Sequence, residues 1–280
     1  MFRRNNRFQK RFKQKKPILK TKVFWDCVLG VVFIVVFVYF LFFSPVFEIT
    51  DVGVIMPSSF SSHALEIERI AQEEIHTQLF GFIEKNTYFL VDEKSIENRI
   101  LDLYPEIKNV SIRKEFLGTL VIEIKLRQPV AIWCYQEMTD CFLIDNLAII
   151  FSRFQTTSEN AAHKAEAEQT TNDLLLIICE QEDIRGILEN AAEKKVIDEM
   201  LLIYDAFLND IEIEVDRFVS DGQTTCNVKT KEGWDAYFKL GGDIKLTLTK
   251  LKLLFEKEIS KEQRKNLSYI DLRFSKVYYK

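Results

Sequence analysis

The sequence predicts an α+β chain: a single apolar helix long enough to span a membrane, then a small βααββ unit, then a strand-rich mixed β domain. Three observations predict it. Residues 1–22 hold ten Lys or Arg and no acid, and residues 23–43 (VFWDCVLGVVFIVVFVYFLFF) are apolar apart from Asp26. Beyond Ser44 the apolar residues first recur at helical spacing between short extended runs, then mostly alternate.

The basic tail, 1–22, repels itself and buries nothing, so it is expected to be disordered. At ~1.5 Å per residue the 23–43 segment reaches roughly 31 Å, which matches a hydrocarbon core of about 30 Å. A buried soluble helix would need apolar partners on every side. A cleaved signal peptide would have a shorter apolar run and a small-residue cleavage site, and Phe42-Phe43-Ser44-Pro45-Val46 has none. A retained anchor is therefore expected, with the N-terminus in the cytoplasm by the positive-inside rule and residues 44–280 outside. A nucleic-acid arm is the other reading of the tail, but its place beside the span makes topogenic and anionic-lipid roles sufficient. The exported part carries 28 basic and 41 acidic residues, a net of −13.

Residues 44–128 are expected to form the βααββ unit. Val46–Ile55 reads as a strand, His63–Phe80 as a helix ended by Gly81, and Asn86–Val91 as a short extended piece. Asp92 is a candidate N-cap for a helix to Leu103, stopped by Pro105. Ile107–Lys114 and Thr119–Leu126 alternate as strands, with Leu120, Ile122, Ile124 and Leu126 on one face. Two helices over one sheet face give the fold class.

Residues 129–280 read as the β domain. Val130–Tyr135 and Cys141–Ile144 form a hairpin, followed by strands at Leu147–Phe151 and Leu174–Cys179. The polar stretch at about 156–172 reads as an exposed insertion. A helix over Glu193–Leu208 precedes strands at Ile211–Val219, Thr224–Lys229 and Asp235–Leu240. Asp243 opens a helix through Ile259, and a last strand runs from Leu267 to Phe274, with a continuation through Val277-Tyr278-Tyr279 as an option. Cys134 and Cys141 flank the hairpin tip. They either form a cross-hairpin disulfide or stand, with Cys179 and Cys226, as four buried thiols; Cys27 lies in the apolar segment.

No catalytic, cofactor-binding or metal-binding residue is expected. His63, His76 and His163 stand in unrelated contexts, and there is no HExxH, GxSxG, P-loop or Cys/His cluster. What remains is binding. In the last strand Ile270, Leu272 and Phe274 face one way and Tyr269, Asp271 and Arg273 the other. Either this strand is an edge able to template a partner's strand, or it lies inside the sheet with Asp271 and Arg273 pairing across it.

These residues carry a resemblance. Asn86-Thr-Tyr-Phe-Leu-Val-Asp, Tyr104-Pro-Glu-Ile-Lys-Asn-Val110, Gly118-Thr-Leu-Val-Ile-Glu-Ile124 and Leu126-Arg-Gln-Pro-Val-Ala-Ile-Trp133 follow in order. Ile144-Asp145, Ala148, Ile150-Phe151, Leu240-Gly241 and Tyr269-Ile-Asp-Leu-Arg-Phe274 come after them. The series resembles the FtsQ/DivIB family of bacterial cell-division proteins, whose first exported unit is a POTRA domain. It departs at Ala148, where Gly is usual, and at Phe116-Leu117-Gly118, where Trp-Pro is common. The resemblance implies a non-enzymatic divisome scaffold in the cytoplasmic (inner) membrane at the division septum. It implies binding to FtsB- and FtsL-like bitopic partners through a C-terminal edge, and no nucleic acid or small-molecule substrate. Carried over by position, the partner-binding residues are Phe274, Ser275, Lys276, Val277 and Tyr278, with Phe274 and Tyr278 as the expected hot spots. The alternatives are a POTRA-containing export or outer-membrane assembly component, and an anchored envelope enzyme. The first normally has several POTRA repeats or a C-terminal barrel, and the second lacks a reactive constellation here.

Overall fold

A computed structural model of the chain describes residues 22–79, 83–84, 86–115, 118–135, 140–154, 174–180 and 184–280. The basic tail up to residue 21, the tip of the Cys134–Cys141 hairpin, His163 and the 156–172 stretch lie outside the described residues. The fold is mixed α+β. Among the described residues the strands form a three-stranded sheet, a nine-stranded sheet and a two-stranded ribbon. The chain divides into two compact units that interleave in sequence: Met1–Gly53 with Glu68–Ile96 and Ile112–Val121, and Val54–Ile67 with Glu97–Ser111 and Ile122–Lys280.

The first helix, α1 (Lys22–Phe43), has 22 residues, and its described apolar side chains from Trp25 to Phe40 are exposed. Among the described residues no helix is long and apolar enough to cross a membrane. Within α1 the described side chains are Lys22 and Phe24–Phe40. The helix ends at Ser44, whose N–H donates to the Phe40 carbonyl (3.1 Å) and whose hydroxyl accepts from Val46 N–H. Pro45 then fixes φ at the start of a 3-10 turn, Pro45–Phe47. The strand expected from Val46 is consequently delayed to β1 (Asp51–Ile55). The intervening backbone joins 86–88 instead: Ile49 N–H donates to Asn86 O and Tyr88 N–H to Phe47 O, both at 2.8 Å.

Two further sequence readings change in the same region. The helix expected from His63 begins as a 3-10 turn, Ser58–His63, and becomes α2 (Ala64–Ile75), so it stops before Phe80. The ribbon β2 (Gln78–Leu79) and β3 (Ile83–Glu84) follows. Asn86–Val91 is not extended. After a single bridge at Thr87 the chain turns, with Leu90 and Val91 N–H both donating to Thr87 O. The next helix, α3 (Glu93–Leu103), begins where expected, and Asp92 Oδ1 accepts Ser95 N–H as its cap.

β4 (Ile107–Glu115) and β5 (Thr119–Leu126) form the three-stranded sheet in the order β1-β5-β4. Leu120, Ile122 and Ile124 are buried as the alternation predicts. Val121 is buried too, on the face expected to be polar. Gly118 turns at φ 84°, and its carbonyl accepts from both Thr50 and Asp51. A Cβ there would press onto the Glu48 carbonyl oxygen, so the position requires glycine.

The nine-stranded sheet uses β6 (Ala131–Tyr135), β7 (Asp140–Ile144), β8 (Ile150–Phe154), β9 (Leu175–Cys179), β10 (Val215–Ser220), β11 (Thr225–Thr230) and β12 (Asp235–Lys239). Near the C-terminus it adds β13 (Tyr269–Asp271) and β14 (Tyr278–Tyr279). The order is β14-β13-β12-β11-β10-β9-β6-β7-β8. Its helices among the described residues are α4 (Lys194–Asp205), which widens into a π turn at Ala206–Asp210, α5 (Ile244–Lys257) and the short α6 (Lys261–Arg264). Asp243 caps α5 by accepting Leu246 N–H. Trp133, Ile177, Phe218 and Phe238 from the strands, and Trp234 just before β12, pack in one core with Met200 and Phe207 from the α4 segment and Leu251 from α5.

Cys134 and Cys141 sit opposite each other in the β6–β7 ladder and are disulfide-bonded. Cys179 and Cys226 are buried, and burial pushes the Cys226 thiol far up, which keeps it neutral. β8 starts three residues later than expected because Asp145 makes a turn of 146–148. Its Oδ1 accepts Leu147 N–H (2.8 Å) and Ile149 N–H (3.0 Å), and Ala148 adopts φ 65°. Asp145 Oδ2 takes the Arg127 guanidinium at 2.6 Å, and Arg127 Nε donates to Pro105 O.

A candidate partner-binding edge

The C-terminal end of the large sheet is built outward from β12. β13 runs parallel to it, pairing Asp235 with Tyr269 and Tyr237 with Asp271, and Leu272 N–H continues the ladder to Tyr237 O. Ile270 and Leu272 are buried on the face that packs into the core. The strand expected to run to Phe274 stops at Asp271, because the Asp271 carboxylate folds back onto Arg273. Oδ1 accepts both the backbone N–H and Nε of Arg273 at 3.0 Å, and Oδ2 accepts Nη2 at 2.6 Å. These bonds hold the Asp271 carboxyl below its usual range despite partial burial. Asp271 and Arg273 thus pair with each other at the end of β13 rather than across the sheet.

From Arg273 the chain bends and reverses. β14 returns antiparallel along the outer side of β13, with Ile270 opposite Tyr279 and Asp271 opposite Tyr278. Lys280 completes the closure: its carbonyl accepts Ser268 N–H (2.6 Å), and its N–H donates to Tyr269 O (3.2 Å). The outermost strand at this end is therefore β14, and β13 lies one strand inside.

The five residues carried over from the family are brought together, but not as one strand. Phe274 and Tyr278, 59% and 53% exposed, meet edge to face across the bend, with ring centroids 6.1 Å apart. Ser275 is tied by its carbonyl to Lys250 Nζ of α5 (3.2 Å). Lys276 is exposed, and Val277 tucks half-buried against the core. The Arg273 guanidinium lies over both Tyr237 (5.1 Å) and Phe274 (5.8 Å). The result is an aromatic and cationic rim on a two-residue strand. An exposed aromatic pair beside strand backbone suits recognition of an extended segment. Sequence reasoning missed Lys250, Lys280 and the turn at Asp271. Only the second apolar-aromatic run, Val277-Tyr278-Tyr279, signalled β14.

Among the described residues no group of three or more His, Cys, Asp or Glu could hold a metal ion. His63 is packed against Phe60 and Tyr104, with centroids 4.4 and 5.4 Å away.

No curated relative matches the chain at a significant level. Residues 66–127 match the family model described as POTRA domain, FtsQ-type. That stretch holds most of α2, all of α3 and both long strands of the three-stranded sheet. Domains of this type are generally non-enzymatic and belong to division proteins. The match covers 62 of the 280 residues, and the likeness is to this type of domain.

Proposed function

We propose that the chain is a bitopic, non-enzymatic scaffold of the bacterial division machinery. In this reading 1–22 is a cytoplasmic tail, 23–43 crosses the inner membrane, and 44–128 is the POTRA-like domain. The β domain at 129–280 binds FtsB- and FtsL-like partners at the septum. The carrying observation is the FtsQ-type POTRA match, followed in the same chain by a sheet with a short, aromatic-rimmed C-terminal edge. Support for the span comes from α1. Twenty-two helical residues reach ~33 Å, the apolar side chains from Trp25 to Phe40 are exposed, and Val23, Leu41, Phe42 and Phe43 extend the apolar run of the sequence at both ends.

The partner segment adds as an extended strand at the edge formed by β14, with Phe274 and Tyr278 as anchors and Ser275, Lys276 and Val277 between them. A chromosomal fluorescent fusion tests the role. A midcell band in dividing cells is expected; a uniform envelope signal in cells with intact septa contradicts it.

A further inference from the structure

We propose that the aromatic surface where α1 enters the folded part of its unit is a lipid-seated foot, lying in the boundary between headgroups and acyl chains. The proposal rests on the reading of α1 as a membrane span. The surface is formed by Phe40, Val46, Phe47, Tyr88 and Phe89. Phe40, Val46 and Phe89 are 55%, 63% and 48% exposed. Their neighbours are not loose. Phe40 meets Phe47 edge to face at 6.3 Å, Phe47 meets Phe89 at 5.4 Å, and Tyr88 meets Phe89 at 5.5 Å. The rings form one continuous row that begins on α1 itself.

The backbone leaves little slack between the helix and that row. Ser44 N–H closes the last turn of α1 onto Phe40 O, and the 3-10 turn follows at once. Phe47 O then accepts Tyr88 N–H, and the Glu48–Thr87 bridge locks the two stretches side by side. A helix of this length, ~33 Å, exceeds the hydrocarbon thickness of about 30 Å by only about two residues. Its C-terminal end therefore lies near the acyl boundary; Val46 and Phe47 follow it at once in the chain, and the Phe89 and Tyr88 rings continue the row from Phe47. Aromatic rings are favoured at that depth, and Tyr88 has a polar end for the wet side.

The contact is apolar rather than electrostatic. The nearby cation, Lys114, lies over the Tyr88 ring (5.6 Å), but its ammonium is already held by Glu93 (3.1 Å) and the Val91 carbonyl (3.2 Å). Glu48, on the same surface, accepts from Asn86 (2.8 Å). Neither group is set out to grip a phosphate, so seating should not depend on anionic lipid.

Tryptophan quenching in nanodiscs tests this with the full chain. Phosphatidylcholine brominated either near the headgroup end or deep in the acyl chain is the quencher. In the parent protein Trp25 reports the span, while Trp133 and Trp234 are buried in the β-domain core and report no lipid contact. Phe89→Trp adds a reporter at an exposed position that tolerates the larger ring. The added emission is expected to be blue-shifted and to lose most of its intensity to the shallow quencher, with less lost to the deep one. Adding anionic lipid should leave this unchanged. Val46→Trp reads the same surface if Phe89→Trp folds poorly. Added emission at the wavelength of water-exposed indole, unquenched by both lipids, overturns the foot. So does quenching that appears only with anionic lipid. Loss of quenching at Trp25 overturns the span instead, so the two failures are distinguishable.

Discussion

Replacing Arg127 by Met removes the cationic partner of a carboxylate that is 1% exposed. The Arg127 Nη1–Asp145 Oδ2 bond is 2.6 Å long, and Arg127 itself is 11% exposed, so little water screens the pair. Breaking such a buried pair typically costs about 3–5 kcal/mol. Here Asp145 keeps two backbone donors, Leu147 and Ile149, on its other oxygen, so its charge is not left wholly uncompensated. The bond from Arg127 Nε to Pro105 O is lost as well, worth about 1 kcal/mol. The lower end of the range follows, ~3 kcal/mol, or about 6–12 °C in Tm for a domain of this size. Urea unfolding of the full chain in detergent measures it, with Trp133 and Trp234, both buried in the same core, as fluorescence reporters. The companion Asp145→Asn removes the charge and keeps an acceptor. The double variant should then cost clearly less than the sum of the two single changes. A loss below ~1 kcal/mol for Arg127→Met, or strict additivity in the double variant, would refute the reasoning.

Reducing the Cys134–Cys141 bridge opens a loop of sequence separation 7, for which chain entropy gives about 2.4 kcal/mol. Dithiothreitol should therefore lower Tm in the parent and leave a Cys134→Ala/Cys141→Ala variant unmoved, and equal responses would count against the bridge. Gly118→Ala forces a Cβ onto the Glu48 carbonyl at positive φ, which should cost about 2 kcal/mol or more in chemical denaturation. Burial alone would raise the Asp221 carboxyl, but N–H groups of Gln223, Thr224 and Thr225 and the Thr224 hydroxyl hold it far below the usual range. A depressed carboxyl stabilises above its unfolded pKa of about 3.9, and the benefit fades as pH falls from there. Asp221→Asn should thus be ~2 kcal/mol less stable at neutral pH, with the gap closing below about pH 4 in a pH series of melts; a constant gap would contradict the assignment.

The parts of this fold legible in the sequence are those set by local pattern. The alternation through Leu120, Ile122 and Ile124 and the caps at Asp92 and Asp243 are decided by neighbours a few residues away. Two of the misreadings share a cause: a side chain that competes with the ladder for backbone N–H groups. Asp145 turns 146–148 and delays β8, and Asp271 stops β13 two residues before Arg273, yet both sit in stretches whose apolar spacing reads as continuous strand. The reversal that brings Tyr278 and Tyr279 back beside β13 depends on pairing partners rather than on spacing, so periodicity shows β14 only as a second apolar run. The Arg127–Asp145 pair was present in the family-like motifs as two separate residues, and nothing in their separation of 18 positions announces contact.

Binding of the purified full chain to the proposed FtsB- and FtsL-like partners, measured for the parent, Phe274→Ala and Tyr278→Ala, tests the central claim most directly. Each truncation removes an exposed ring from the rim of the C-terminal edge without opening the core. A loss of about 2 kcal/mol, near 30-fold in Kd, is the expected result for an anchor residue, with the melting temperature unchanged. Parent-like affinity in both variants would contradict the account.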